Sequence, residues 1–258
     1  MDGTVANLLD ITARLWQSGR PIPRGERNVI PHHATRVPQK HPELVLVRSG
    51  YRVRHANSLA QRKKARTLVK SMYAWRGYAT DSIVSLQQNP NCVTLEASTA
   101  KKLFGTLTVA LDSEEGLFAD GLYRSEINNL RRKGRRVCEI TKLAFNPKYS
   151  SKEVIASLFH LAYLYAQHIQ NATDILIEVN PRHASFYQRR LGFRQIGEPR
   201  TCARVNAPAV LLLVSTDYVA SQISQYAGSH HIGEKSLYPY FFSAAEMGSL
   251  INRIARAA

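Results

Sequence analysis

The stretch from Arg136 to Phe193 limits what this chain can fold into more than any other. It reads RVCEITKLAF, then NPKYSSKEVIASLFHLAYLYAQHIQ, and, after a short break, DILIEVNPRHASFYQRRLGF. An apolar strand carrying one carboxylate, Glu139, is followed by a helix-period run, a second apolar strand and a short helix closed by Leu191-Gly192-Phe193. Two strands joined through a helix of this length are expected to lie parallel, linked by a right-handed crossover. Along 137–145 simple alternation puts Glu139, Thr141, Leu143 and Phe145 on one face, and Cys138, Ile140, Lys142 and Ala144 on the other. Acids are seldom buried without a partner or a chemical role, which makes Glu139 a candidate functional residue. The structural alternative is an ion pair with Lys142, Arg136 or an arginine of a helix over 59–75. Glu178 is a second candidate base, although its alternation with Ile177 and Val179 points it to the other face.

Helix grammar supports this frame. Ser150 and Glu153 have the spacing of a capping box for a helix over 151–170, whose apolar stripe is wide enough to cover a sheet. Asn180 can cap a helix whose first residue is Pro181, and Gly192 stands where a C-terminal cap belongs. Upstream, 92–97 and 103–112 read as a hairpin, and 117–133 as a helix with acid at its start and base at its end. Its basic end continues past Gly134, so Arg131, Arg132, Lys133, Arg135 and Arg136 place five cations in six residues. Both a solvated helix end and a docking patch for an acidic partner account for them. Helix 59–75 also carries cations in its first turns, where the helix dipole disfavours them.

The 258 residues divide into an N-terminal helix and Pro/His/basic linker (1–42), a main domain (43–226) and a C-terminal extension (227–258). That extension holds the aromatic cluster Tyr238-Pro239-Tyr240-Phe241-Phe242, expected as core or lid, and a final helix over 244–256. The net charge of +16, from 35 Lys and Arg against 19 Asp and Glu, attracts acidic partners such as nucleic acid, anionic membrane or an acidic carrier protein. Three scattered cysteines show neither zinc spacing nor a disulfide framework, and His32-His33 has no supporting ligands, so no metal is expected. No apolar run approaches the ~18 residues that span a bilayer. The start lacks signal-peptide grammar, and the expected location is the cytoplasm.

ARTLVKSMYAWRGY, the strand around FGTLTVAL, CEITKLAF, and EVN followed by FYQRRLGF occur in the order of the GNAT acyltransferase superfamily. The sequence resembles most closely the bacterial long-chain N-acyl amino acid synthases of the N-acyl tyrosine synthase type, relatives of the acyl-homoserine lactone synthases. The likeness covers roughly residues 50–220. CEITKLAF is similar to their E-x-S-R-F/L strand, and residues 183–193 carry H-x-x-F-Y-x-R-R-L-G-F.

The resemblance implies an α/β, mixed-sheet (α+β) GNAT-like acyltransferase fold whose fourth and fifth strands splay apart around the pantetheine arm of an acyl donor. The donor implied is a long-chain acyl group on the 4'-phosphopantetheine arm of acyl carrier protein, with no other cofactor bound. The acceptor is an amino acid, with tyrosine favoured. Leu143, Ala144, Phe145 and Asn180 would hold the donor, and the cations 131–136 would dock the carrier. Glu139 would accept the ammonium proton, and backbone N–H groups of 143–145 would stabilise the oxyanion. Tyr187, five residues before Gly192 rather than the four usual in GNAT enzymes, is a further catalytic candidate. His183 is read as a helix-start contact.

Acetyl-CoA users carry a glycine-bearing pyrophosphate loop after the fourth strand. Here that loop is Asn146-Pro147-Lys148-Tyr149-Ser150-Ser151, without glycine. An acetyl-CoA-dependent enzyme, a basic nucleic-acid-binding protein and a non-catalytic sensor are the competing readings. The nucleic-acid reading is disfavoured because the cations do not interleave with aromatics. Transient membrane association is left open, as is the oligomeric state.

Overall fold

A computed structural model describes residues 45–48, 50–80, 91–149, 151–229 and 235–248. The expected N-terminal helix and linker, His32-His33, Ser150 of the capping box and the end of the final helix lie outside these residues. The chain opens with the hairpin β1 (Val45–Arg48) and β2 (Tyr51–His55), turned by Gly50 at a left-handed φ of +86°. Helix α1 (Leu59–Trp75) follows. Its Ser58 cap accepts from the Gln61 backbone N–H while the Gln61 side chain accepts from the Ser58 N–H, a reciprocal capping box. Strands β3 (Cys92–Ser98) and β4 (Leu103–Leu111), helix α2 (Asp120–Arg132) and strand β5 (Val137–Phe145) come next.

Helix α3 (Lys152–Leu164) is capped by Ser151, whose hydroxyl accepts the Val154 N–H, so its box-like start falls one residue later than the sequence suggests. It passes into a π-helical turn, Tyr165–Ile169. Strand β6 (Asp174–Val179) leads into α4 (Pro181–Leu191), with Asn180 as N-cap and Gly192 at φ +75° as C-cap, both as expected. Strands β7 (Arg194–Gln195), β8 (Arg200–Cys202) and β9 (Ala207–Ser215) and helix α5 (Thr216–Tyr226) complete the domain. The brief β8 has no periodicity that would reveal it. No helix among the described residues is long and apolar enough to cross a membrane.

All strands join one sheet in the order β1-β2-β3-β4-β5-β6-β9-β7, with β8 pairing on β9. Only β5 and β6 pair in parallel among the described residues, the crossover read from the sequence. One face packs Leu107, Ile140, Ile177 and Leu212 under α3, α4 and α5; the other packs Leu176, Leu211 and Leu213 with Tyr123 and Ile127 of α2. Fully burying one such aliphatic side chain contributes about 2 kcal/mol. The C-terminal aromatics belong to this core: Phe241 and Phe242 stack on His160 of α3, and the Phe242 N–H donates to His160 Nδ1 at 2.9 Å. Arg48 forks onto the Glu246 carboxylate and fastens the segment to the first hairpin.

Two backbone features create the site. First, β5 and β6 pair only from Val137↔Asp174 to Glu139↔Leu176, and beyond that point the two strands part. Second, the β4–β5 register slips by one residue between Thr108↔Thr141 and Thr106↔Ala144. The extra residue in β5 is accommodated with Lys142 at φ +52°, a β-bulge in which a lysine takes a conformation that favours glycine. The bulge overturns the expected alternation. Leu143 and Phe145 pack with Cys138 and Ile140, whereas Lys142 turns towards Phe118 on the Glu139 face. A one-residue insertion reverses every side chain after it, and strand periodicity alone does not signal where it falls.

Candidate active site

The gap between the parted strands opens into a cavity of about 570 Å³ that reaches both sides of the sheet. At its inner end Glu139 is 1% exposed. The segment before α2, Leu117 to Ala119, wraps over it, and the Ala119 N–H donates to Glu139 Oε2 at 3.0 Å. Burial lifts the carboxyl to about 7; the Ala119 N–H and the Arg204 guanidinium oppose that lift, and Glu178 adds to it. The cations weighed from sequence as its structural partners are not what holds it. A buried carboxylate poised near neutrality, facing a cavity, suits a general base. The acid limb of kcat/KM is accordingly expected to bend near pH 7, rate falling as Glu139 takes up a proton, as a pH–rate profile would show.

Glu178 lies on the same face as Glu139, because Leu176, two residues before it, is the register partner of Glu139 and packs on the α2 face. The expectation from alternation was the opposite, formed without knowing which residues of the two strands pair. Its carboxylate is occupied: Arg204, from the turn between β8 and β9, donates to Glu178 Oε2 at 2.8 Å. Lys142 Nζ sits 4.7 Å from the centroid of the Phe118 ring and Arg204 Cζ 5.9 Å from the same centroid. Burial lowers the Lys142 ammonium below its ordinary range, with Cys92 and Glu139 opposing. Lys142, Arg204 and Phe118 were not singled out as site residues in the sequence. Arg204 carries no motif, and only the bulge turns Lys142 inward.

The other side of the cavity is apolar. Leu143, Ala144 and Phe145 line it with Ile155, Val179 and Phe186, so the first three, expected beside the donor, do border the gap. Asn180 borders it too, but its side-chain oxygen accepts the Arg182 N–H and so is engaged as a helix cap. Tyr187 forms a wall, packed edge-on against Phe159, Phe186 and Phe193, and burial raises its phenol above the ordinary tyrosine value. His183 lines the rim and accepts from Arg182. A Cβ at Gly105 would meet the Phe145 ring at 2.8 Å. Gly105→Ala is therefore expected to displace Phe145 from the cavity wall, costing about 1–3 kcal/mol, measurable by thermal unfolding.

The basic run ending α2 is partly committed inside the fold. Arg131 forks onto both Asp112 and Asp120, and Arg135 onto Asp174. Arg136 donates to the Asn171 carbonyl, while Arg132 and Lys133 are exposed. These residues precede β5, at the end where it pairs with β6 and not where the two strands part. Arg131 and Arg135, expected to dock the carrier, are thus engaged in ion pairs within the fold, which the sequence does not show because the acids come from distant segments.

A mixed sheet whose two central parallel strands part around a cavity, with a near-neutral glutamate at the inner end, defines a GNAT-type N-acyltransferase. Within that class the chain belongs to the N-acyl amino acid synthase FeeM family, whose model matches residues 64–215. The solved structure of FeeM, an N-acyl amino acid synthase from uncultured soil microbes, is similar to 65% of this chain and 92% of its own, at 26% identity and a TM-score of 0.60. An acyl-CoA N-acyltransferase from Pseudomonas aeruginosa is similar over 63% of this chain and 97% of its own, at 12% identity and a TM-score of 0.44. No curated protein sequence matches the chain.

Proposed function

We propose that the chain joins a long-chain fatty acyl group, delivered as a thioester on acyl carrier protein, to the α-amine of an amino acid, tyrosine being favoured by the resemblance of its motifs. Glu139, raised to about 7 at the inner end of the cavity, is the observation that carries this reading. It takes one proton from the substrate ammonium. The freed amine attacks the thioester carbonyl and forms the C–N bond, and the carbonyl oxygen gathers negative charge. Main-chain N–H groups of β5 beyond its pairing with β6 are suited to stabilise that oxyanion. Collapse breaks the C–S bond; the leaving thiolate takes a proton from Tyr187, the candidate donor, and the second proton given up by the new amide nitrogen restores the tyrosine.

The loop after β5 supports a carrier-borne arm over coenzyme A. It turns as a 3-10 segment, Pro147–Tyr149, with the Lys148 N–H given to Asn146 Oδ1 and the Tyr149 N–H to the Asn146 carbonyl. At the start of α3 the Val154 N–H goes to Ser151. Several N–H groups that would otherwise cradle a pyrophosphate are therefore engaged within the chain. The exposed cations beside the rim, Lys148 next to Pro147 and Arg182 between Asn180-Pro181 and His183, are better placed to meet an acidic carrier than the Arg131 cluster. The apolar walls of Leu143, Ile155 and Phe186 suit an alkyl chain. Mass spectrometry of lipids from a bacterial host expressing the protein is expected to reveal new N-acyl amino acids. Their absence from cells holding folded protein would remove this reading.

A further inference from the structure

We propose that Lys142 receives the α-carboxylate of the acceptor amino acid, making it the residue by which the enzyme selects amino acids over simple amines; this rests on the function proposed above. The first argument is charge. The amine that attacks is neutral, so an amino acid reacts as a carboxylate anion of net charge −1, and a site for it needs one unmatched cation. Around Glu139 the Arg204 guanidinium is matched by Glu178 at 2.8 Å. Lys142, by contrast, makes no ion pair or hydrogen bond among the described residues; it sits 4.7 Å from the centroid of the Phe118 ring and feels the Glu139 carboxylate, which is neutralised when it takes the substrate's proton. Once Glu139 carries that proton, an ammonium half withdrawn from water is costly unless a ligand supplies its counter-ion.

The second argument is position. Phe118 lies under the Lys142 ammonium, and the next residue, Ala119, donates to Glu139. The base and the unmatched cation are thus fixed by adjacent residues of one segment, an arrangement suited to an amine and a carboxylate that share one carbon. The third is backbone. Lysine occupies the left-handed bulge position (φ +52°), where glycine would be less strained and would offer no cation.

The test compares L-tyrosine with tyramine, and L-leucine with isopentylamine, each pair differing by the carboxylate alone. Wild type is expected to prefer the amino acid. In Lys142→Met the KM for the amino acid should rise about 10- to 100-fold, the loss expected when a charged hydrogen bond is removed. The KM for the acyl donor and the amine should change little, so the preference disappears. Lys142→Arg, which keeps the cation, should retain most of the preference and guards against a mere packing defect. An amino-acid-to-amine ratio unchanged in Lys142→Met would overturn the inference and leave the proposed function standing. Failure of wild type to acylate any proteinogenic amino acid would overturn both.

Discussion

Replacing Glu139 by glutamine is expected to lower kcat by about 10²- to 10⁴-fold, the usual contribution of a positioned general base, while leaving the fold intact. Glutamine keeps the shape and can still accept the Ala119 N–H, so circular dichroism should be unchanged. The same substitution should stabilise the protein at alkaline pH. Sign and size follow from linkage: the folded carboxyl binds its proton up to about 7, the unfolded one only to about 4.5. Wild type therefore loses stability as pH rises through that window, on the order of 3 kcal/mol by pH 8, and the glutamine variant does not. Denaturant unfolding at pH 5 and pH 8 measures this. A variant that is inactive yet more stable than wild type at pH 8 separates a base held ready for chemistry from a structural acid, whose removal would destabilise.

Arg131→Ala tests the opposite kind of residue. Arg131 holds Asp112 at 2.6 Å and Asp120 at 2.6 Å, and Asp120 Oδ2 also accepts the Leu117 N–H that starts the segment wrapped over Glu139. Removing the arginine leaves Asp120, 8% exposed, without its cation. The expected loss is on the order of 2–3 kcal/mol, below the range for a fully buried pair because part of the guanidinium meets water. Burial pushes the Asp120 carboxyl up, but the Arg131 and Leu117 bonds more than reverse this and hold it below its ordinary value. The stabilisation is therefore fully present above the ordinary aspartate pKa and is lost as pH falls through the depressed one. The gap between wild type and variant, seen by thermal unfolding at pH 7, should shrink below about pH 4. If Arg131 served carrier docking instead, activity would fall with stability unchanged.

The parallel unit of β5, α3 and β6, the Asn180 and Gly192 caps and the buried Glu139 were legible in the sequence because each rests on local grammar: apolar runs, capping residues and a lone acid in a strand. What escaped was long-range or sub-periodic. The bulge at Lys142 inserts one residue into an otherwise regular strand, and nothing in CEITKLAF marks it. Glu178 joins the Glu139 face through the β5–β6 register, and Arg131 and Arg135 find Asp112, Asp120 and Asp174 only through tertiary packing. Within that run of cations sequence shows the charges and hides the partners of Arg131 and Arg135, while Arg132, Lys133 and Arg136 stay exposed. Arg204 reaches the site from a turn far along the chain, with no motif to announce it.

The most direct measurement is acyl transfer by the purified protein, supplied with the proteinogenic amino acids and with palmitoyl thioesters of acyl carrier protein or coenzyme A in parallel. The expected result is an N-palmitoyl amino acid, formed faster from the carrier at equal donor concentration and lost in Glu139→Gln. Product from acetyl-CoA alone, or an undiminished rate in Glu139→Gln, would contradict the account.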